Sequence, residues 1–439
     1  MKKNIGILGL GKSGISVANL ALKLGNNVFA SETATKTKEI KKLSKKILVE
    51  LGGHSDKILN SDIIIKSPGL SPDIPILKKA KNKKIKILSE LSFALLNSKY
   101  KKIIAVTGTN GKTTTTDLIS KIIKSKHKDS IVVGNIGLPL SAKALTTTKN
   151  TYITMELSSY QLEDSPNFKA NISVLLNISP DHLSHHKTMK AYIRGKENVF
   201  VNQNKNDFLI VNYDDKICRK LSKKAKSNVI FFSKKPLKNG IFYDDGKIVI
   251  QIGKKYFQIK PKINIVGMHN IENILASVSA AYFAGIHLKS IEKVISKYKG
   301  VPHRIEFVKN INGVSYYNDS KATNVDSTRV ALESFDKNIN LIMGGQDKGF
   351  PYTSLKQLIK KKVKAVFLIG EASNEIKKDL RGVSTFFDSK SLEQALKQAS
   401  MNSKTGDIVL FSPACASFDS FKNFEERGNI FKCLVNKGF

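Results

Sequence analysis

At 439 residues, with 41% hydrophobic and 25% charged residues, the chain has the composition of a globular protein long enough for about three domains of roughly 150 residues each. Its net charge of +37 invites an anionic partner, but of its 73 basic residues only Arg194, Arg219, Arg304, Arg329, Arg381 and Arg427 are the bidentate arginines that base and phosphate recognition favours. The lysines form no long block and are not interleaved with aromatics, so they are expected on solvated faces and no nucleic-acid partner is expected.

Cys218, Cys415 and Cys433 are too widely spaced for a disulfide framework or a zinc motif. Lys2 and Lys3 precede an apolar stretch, but Gly6, Gly9, Gly11 and Gly14 interrupt it and no small-residue cleavage site follows. No apolar run approaches the ~20 residues that span a bilayer. A cytoplasmic location without a membrane partner is expected.

Residues 4–10 predict a strand running into Gly9-x-Gly11-x-x-Gly14, then a helix carrying Ile15, Ala18, Leu22 and Leu24. Glu32 ends the next strand, 27–30, where doubly wound folds contact a ribose hydroxyl. The pattern presents a helix N-terminus to a diphosphate and leaves open whether that belongs to NAD or another nucleotide. A third strand, 62–65, runs into the turn Ser67-Pro68-Gly69, and the polar stretch 97–102 reads as a linker.

The apolar run 103–106 then meets Gly108-Thr109-Asn110-Gly111, and Lys112 and Thr113 open a helix with Leu118, Ile119, Ile122 and Ile123 on one face. Strand, glycine turn and helix together form a triphosphate-binding loop. Its backbone N–H groups curl around phosphates, Lys112 reaches the terminal phosphates and Thr113 can ligate Mg²⁺. The strict pattern asks for glycine at position 106, where this chain has Val106.

Further strands are expected at 131–133, 152–155, 172–176, 208–211 and 229–232, a mostly parallel sheet. A β-hairpin insertion around Asp245-Gly246 and a helix at 269–284 follow, then a linker at Gly300-Val301-Pro302. Glu156, at a strand end, suits a Mg²⁺ ion beside a triphosphate. Asp181-His182 also follows a strand, whereas nothing local singles out Lys196 on the helical stretch 191–198. The last region alternates strands at 314–317, 340–343, 365–369 and 408–411 with helices. Three of these strands run into polar strings: Asn318-Asp319-Ser320-Lys321-Ala322-Thr323-Asn324, Gly344-Gly345-Gln346-Asp347-Lys348 and Ser412-Pro413-Ala414-Cys415-Ala416-Ser417-Phe418-Asp419. They form a candidate binding edge.

In this order, the motifs resemble those of the Mur ligase family. The resemblance rests on the loop at Gly108, the Asn135-Ile136-Gly137 turn, Glu-Leu-Ser-Ser-Tyr-Gln-Leu-Glu at Glu156, Asp181-His182, His303-Arg304 and the string at Asn318. The Ser412 string followed by Phe421-Lys422-Asn423-Phe424-Glu425-Glu426-Arg427-Gly428 is most particular to the D-glutamate-adding member. The family often has an Asp-Arg pair where this chain has Ser184-His185.

The resemblance implies an α/β fold of three domains: a Rossmann-like domain at 1–98, a P-loop-type ATPase domain with a mostly parallel sheet at 99–299, and a Rossmann-like domain at 300–439. It implies ATP and Mg²⁺ as cofactors, UDP-N-acetylmuramoyl-L-alanine and D-glutamate as substrates, and a monomer. Gly108, Thr109, Asn110, Gly111, Lys112, Thr113, Thr114, Asn270, Asn273, Arg304 and Asp319 are implied at ATP. Thr113 and Glu156 are implied at a first Mg²⁺, and His182 and a carbamylated Lys196 at a second. Gly11, Lys12, Ser13, Glu32, Thr33, Ser67, Gly69 and Asn135 are implied at the UDP substrate. Lys321, Thr323, Lys348, Ser417 and Phe424 are implied at D-glutamate. The expected reaction is amide formation through an acyl phosphate. A sister ligase adding diaminopimelate, or glutamates to folate, is the nearest alternative; an NAD-dependent oxidoreductase and a nucleic-acid-stimulated ATPase are the more distant ones.

Overall fold

The computed structural model describes residues 2–36, 38–135, 137–349 and 351–438. The chain forms two compact units, Met1–Pro261 with Glu272–Ile295, and Lys262–Ile271 with Ser296–Phe439.

The first unit contains two sheets. One holds β1 (Asn4–Leu8), β2 (Asn27–Glu32), β3 (Leu48–Leu51), β4 (Ile63–Lys66) and β5 (Lys86–Ser89), all parallel, in the order β3-β2-β1-β4-β5. The order reverses beside β1, which opens a crevice at the carboxyl ends of β1 and β4. The helix Lys12–Lys23 starts at Gly11 and buries Ile15, Val17, Ala18, Leu20 and Ala21. Leu24, expected within the helix, instead caps its C-terminus and is 37% exposed. A Cβ on Gly14 would lie 1.8 Å from the carbonyl oxygen of Gly9, so helix and strand approach this closely only with glycine there.

The other sheet holds β6 (Lys102–Thr107), β7 (Ser130–Gly134), β8 (Tyr152–Glu156), β9 (Ile172–Leu175), β10 (Phe208–Asn212), β11 (Asn228–Ser233), β12 (Gly240–Asp244), β13 (Lys247–Ile252) and β14 (Lys255–Ile259). Their order is β14-β13-β12-β11-β10-β9-β6-β8-β7. β6 lies between β8 and β9, so the loops after these three strands share one sheet edge. The expected hairpin around Asp245-Gly246 is present as β12 and β13, paired antiparallel; it is not separate from the sheet, because β12 extends it in parallel from β11, and β14 adds a further antiparallel strand beyond β13. The turn at Asp245-Gly246 (φ 41° and 76°) was visible in the sequence, whereas a second turn at Gly253 (φ 58°) adds the extra strand.

In the second unit, β15 (Glu306–Ile311), β16 (Val314–Asn318), β17 (Ile339–Gly344), β18 (Val363–Ile369), β19 (Thr385–Asp388) and β20 (Ile408–Phe411) take the order β15-β16-β20-β17-β18-β19. All pairs are parallel except β15 with β16. β3, β5, β15 and β19 escaped the sequence reading, and all four are sheet edges. An edge strand has one neighbour and exposed faces, so it needs no continuous apolar run; Leu48 in β3 is 72% exposed.

Candidate active site

β6 ends in the glycine turn, and the helix Lys112–Lys126 begins beyond Gly111, which takes a left-handed φ of 83°. Leu118, Ile119, Ile122 and Ile123 are fully buried and anchor that helix. A Cβ on Gly111 would lie 2.2 Å from Asn273 Oδ1, and one on Gly108 would lie 2.9 Å from Leu176 Cβ. The loop is held from outside: Asn110 N donates to Asn177 Oδ1 (2.8 Å), and Thr109 Oγ1 meets Tyr192 OH (3.0 Å). Lys112 Nζ folds back onto the carbonyls of Gly108 (2.9 Å) and Thr109 (2.8 Å). This holds the ammonium at the loop where phosphate oxygens can replace the carbonyls. Thr113 and Thr114 follow in the first helical turn.

Glu156 closes β8 next to Val106 of β6. It is 2% exposed; Oε1 accepts from Asn135 Nδ2 at 2.9 Å, and Oε2 is buried with no hydrogen-bond partner among the described residues. An open, buried carboxylate oxygen beside a phosphate loop fits a hard dication, which takes one or two carboxylates and otherwise phosphate and water oxygens. Ile136, next to Asn135, lies outside the described residues.

Lys196, on the helix Met189–Glu197, is 2% exposed and donates to the carbonyl of Gly108 at 2.7 Å. Burial, reinforced by the charge of Lys112, pushes its pKa down to about 7. Its amine is therefore substantially neutral near neutrality, the form that adds CO₂ to become a carbamate. His182 is half-exposed, with Nε2 3.3 Å from Asp181. Burial lowers its pKa despite the opposing charge of Asp181, favouring the neutral imidazole that ligates metals.

A cleft of about 840 Å³ opens between the two sheets of the first unit. Gly11, Lys12, Ser13, Glu32, Ser67 and Gly69 line one side, and Asn135, Ser158, Tyr160, Gln161 and His185 the other. Burial alone would raise the pKa of Glu32, but backbone donors, chiefly Leu10 and Ala34, hold it below the usual carboxylate value. Thr33 is not part of the wall; its hydroxyl donates to Glu32 Oε1 at 3.1 Å. Sequence reasoning missed Lys66, which anchors the Ser67–Leu70 turn to Asp164. Nothing local separates it from neighbouring lysines.

In the second unit, the strings after β16, β17 and β20 meet at one edge. Lys348 Nζ donates to the carbonyl of Thr323 (3.1 Å), Lys321 Nζ lies 5.7 Å from the Phe424 ring centre, and Ser417 is buried. Arg427 binds two of these strings together: Nε donates to Ser320 Oγ, Nη1 to Ala416 O, and Nη2 to Ser320 O and Cys415 O, at 2.9–3.1 Å. Arg427 lies in the Phe421–Gly428 string singled out in the sequence, but nothing in that string gave it this role. Burial pushes Asp319 up to about 7 against hydrogen bonds from Ser412 Oγ (2.7 Å) and Ile305 N (3.1 Å). Arg304 Nε is buried without a hydrogen-bond partner among the described residues, so it is open to an anion. Asn270 belongs to this unit and donates to Val266 O; Asn273 belongs to the first, where its Oδ1 accepts from Thr115.

Three family models match the chain: a Mur ligase MurD-like N-terminal domain over residues 3–89, a Mur ligase middle domain over 106–281, and a Mur ligase glutamate ligase domain over 303–415. The chain is 45% identical to the UDP-N-acetylmuramoylalanine–D-glutamate ligase of Elusimicrobium minutum, covering 97% of this chain and 96% of that one. It is 40% identical to the enzyme of the same name from Clostridioides difficile, covering 99% and 98%. Among solved structures it resembles the UDP-N-acetylmuramate-alanine ligase MurC of Thermotoga maritima (TM-score 0.63, 19% identity, 100% of both chains). It also resembles the MurF ligase of Thermotoga maritima in complex with ADP (TM-score 0.63, 18% identity, 100% of this chain and 96% of that one). Three matching models in chain order and near-complete coverage at these identities establish that the chain belongs to the Mur ligase family.

Proposed function

We propose that this protein is an ATP- and Mg²⁺-dependent amide ligase that adds D-glutamate to UDP-N-acetylmuramoyl-L-alanine, working as a cytoplasmic monomer in peptidoglycan precursor synthesis. The observation that carries the choice of D-glutamate is the name shared by relatives 40–45% identical over nearly their whole length. Residues 1–98 hold the UDP substrate, 99–299 hold ATP, and 300–439 bring in the amino acid.

A carboxylate is a poor acyl donor, so the γ-phosphate is first transferred to the L-alanine carboxylate. Lys112 exchanges its two carbonyl partners for phosphate oxygens, and the loop N–H groups fix the chain of phosphates. Thr113 and the open oxygen of Glu156 hold one Mg²⁺, and His182 and a carbamylated Lys196 hold a second. When bound, these ions neutralise charge on the transferring phosphoryl group. Gly11, Lys12, Ser13, Glu32, Thr33, Ser67, Gly69 and Asn135 seat the UDP substrate. Asn270, Asn273, Arg304 and Asp319 serve the nucleotide. Lys321 and Lys348 face the carboxylates of D-glutamate, with Thr323, Ser417 and Phe424 around it, and its free amine attacks the acyl phosphate. The tetrahedral intermediate collapses to amide and phosphate.

The test is ADP release from ATP, Mg²⁺ and UDP-N-acetylmuramoyl-L-alanine with single amino acids. Release and amide product that require D-glutamate are expected. Turnover that instead requires diaminopimelate, or a folate acceptor with glutamate, would overturn the substrate assignment.

A further inference from the structure

Two adjacent histidines, His185 and His186, close the short helix Leu183–His186. Neither imidazole has a part in the proposed ligation chemistry. His185 Nε2 lies 2.9 Å from Glu163 Oε2, and His186 Nδ1 lies 3.8 Å from the same oxygen. The three side chains each offer a ligand atom, all within 4.8 Å of one another.

The second imidazole is built in rather than merely nearby. The His186 side chain has no exposed surface, and its Nε2 pairs with Ser159 Oγ at 2.8 Å. That hydroxyl holds Nε2 and leaves Nδ1 facing the Glu163 carboxylate. Nδ1 is buried and has no hydrogen-bond partner among the described residues. A partner that fixes the far nitrogen is the arrangement that orients a metal-ligating histidine. Tyr160 packs against both rings, with centroids 4.3 Å from His185 and 5.3 Å from His186, which limits their rotation. Two imidazoles and one carboxylate select borderline dications such as Zn²⁺ and Co²⁺ over Mg²⁺, which prefers oxygen.

We propose that Glu163, His185 and His186 form a binding site for a Zn²⁺-class dication in the wall of the substrate cleft, separate from the Mg²⁺ positions assigned to Thr113, Glu156, His182 and Lys196. Three protein ligands leave a coordination position for water or a substrate oxygen. His185 lines the cleft, so an ion held there changes the surface that the substrate meets.

The probe is Co²⁺, read by its visible d–d absorption on full-length, tag-free Cys433→Ser protein without nucleotide and with Mg²⁺ in large excess. The substitution removes the exposed thiol as a competing ligand. One equivalent of Co²⁺ is expected to bind despite the Mg²⁺ and to be displaced by Zn²⁺. His185→Asn and Glu163→Gln should each weaken binding at least about tenfold, while His182→Asn leaves it within about twofold. Circular dichroism and the melting temperature establish that each variant is folded. Because the readout is binding, it stands apart from the ligase assay. No Co²⁺ bound in excess Mg²⁺, or binding that survives both His185→Asn and Glu163→Gln, overturns the site. Binding lost in folded His182→Asn but kept in His185→Asn assigns the ion to the nucleotide centre and also overturns it.

Discussion

Lys66 Nζ and Asp164 Oδ2 lie 2.6 Å apart, with both side chains almost out of solvent, and join the end of β4 to the segment after the helix Ser159–Glu163. The same ammonium donates to the carbonyl of Leu70 at 2.6 Å, so one lysine ties the Ser67–Leu70 turn of the cleft to the neighbouring sheet.

Burial pushes the Asp164 pKa up to about 6 even though Lys66 opposes it. A carboxyl whose pKa is higher folded than unfolded favours the fold at low pH and loses that contribution as pH rises from about 4 to about 6. Lys66→Met leaves the buried carboxylate unpaired, and it is expected to cost about 3–5 kcal/mol near pH 8. The deficit should shrink near pH 5, where Asp164 is protonated. Urea unfolding of both proteins at the two pH values checks this, and an equal deficit at both would refute it. The freed turn should also raise KM for the UDP substrate more than it lowers kcat.

Lys112→Ala is expected to lower kcat at least about a thousandfold, since it removes a charge that stabilises the transferring phosphoryl group. Calorimetric titration with the UDP substrate should still show binding, because Lys112 is not part of the cleft wall. Loss of that binding would mean the two sites are not separable as proposed.

Lys196→Ala should abolish turnover, and added small carboxylates such as acetate or formate should restore part of it by supplying the missing oxygens. With a pKa near 7, the wild-type amine should take up labelled CO₂ increasingly as pH rises through about 7. Carbon-13 NMR of protein in labelled bicarbonate, against Lys196→Arg as blank, reads that uptake. Full activity of the alanine variant would defeat the carbamate assignment.

Gly111→Ala combines a left-handed φ of 83° with a Cβ 2.2 Å from Asn273 Oδ1. It should cost about 1–3 kcal/mol in backbone strain alone and raise KM for ATP by displacing the loop. Gly253→Ala is the control: φ is 58°, but nothing lies within 4 Å. It should lose stability without a change in KM. Matching kinetic effects in the two variants would show that strain, not the Asn273 contact, governs the loop.

What the sequence carried on its own was local chemistry. Gly14 marks a close approach of helix to strand and Gly111 a left-handed turn, Lys112 and Thr113 sit at a strand-to-helix junction, and Leu118, Ile119, Ile122 and Ile123 repeat at helical spacing. Each signal lies within a few residues, where backbone sterics and apolar periodicity act without help from the rest of the chain. The family followed from the order of such signals.

Tertiary structure alone decided which of many similar residues matter. Lys196 differs from its lysine neighbours only in being buried against the Gly108 carbonyl, and Lys66 only in meeting Asp164. Burial and pairing depend on atoms brought from distant parts of the chain, and those same environments shift the pKa values of Lys196, Asp164 and Asp319. Edge strands such as β3 and β19 were settled in the same way. Their hydrogen-bond partners are remote, so a strand with little apolar content forms once a neighbouring strand offers its open edge.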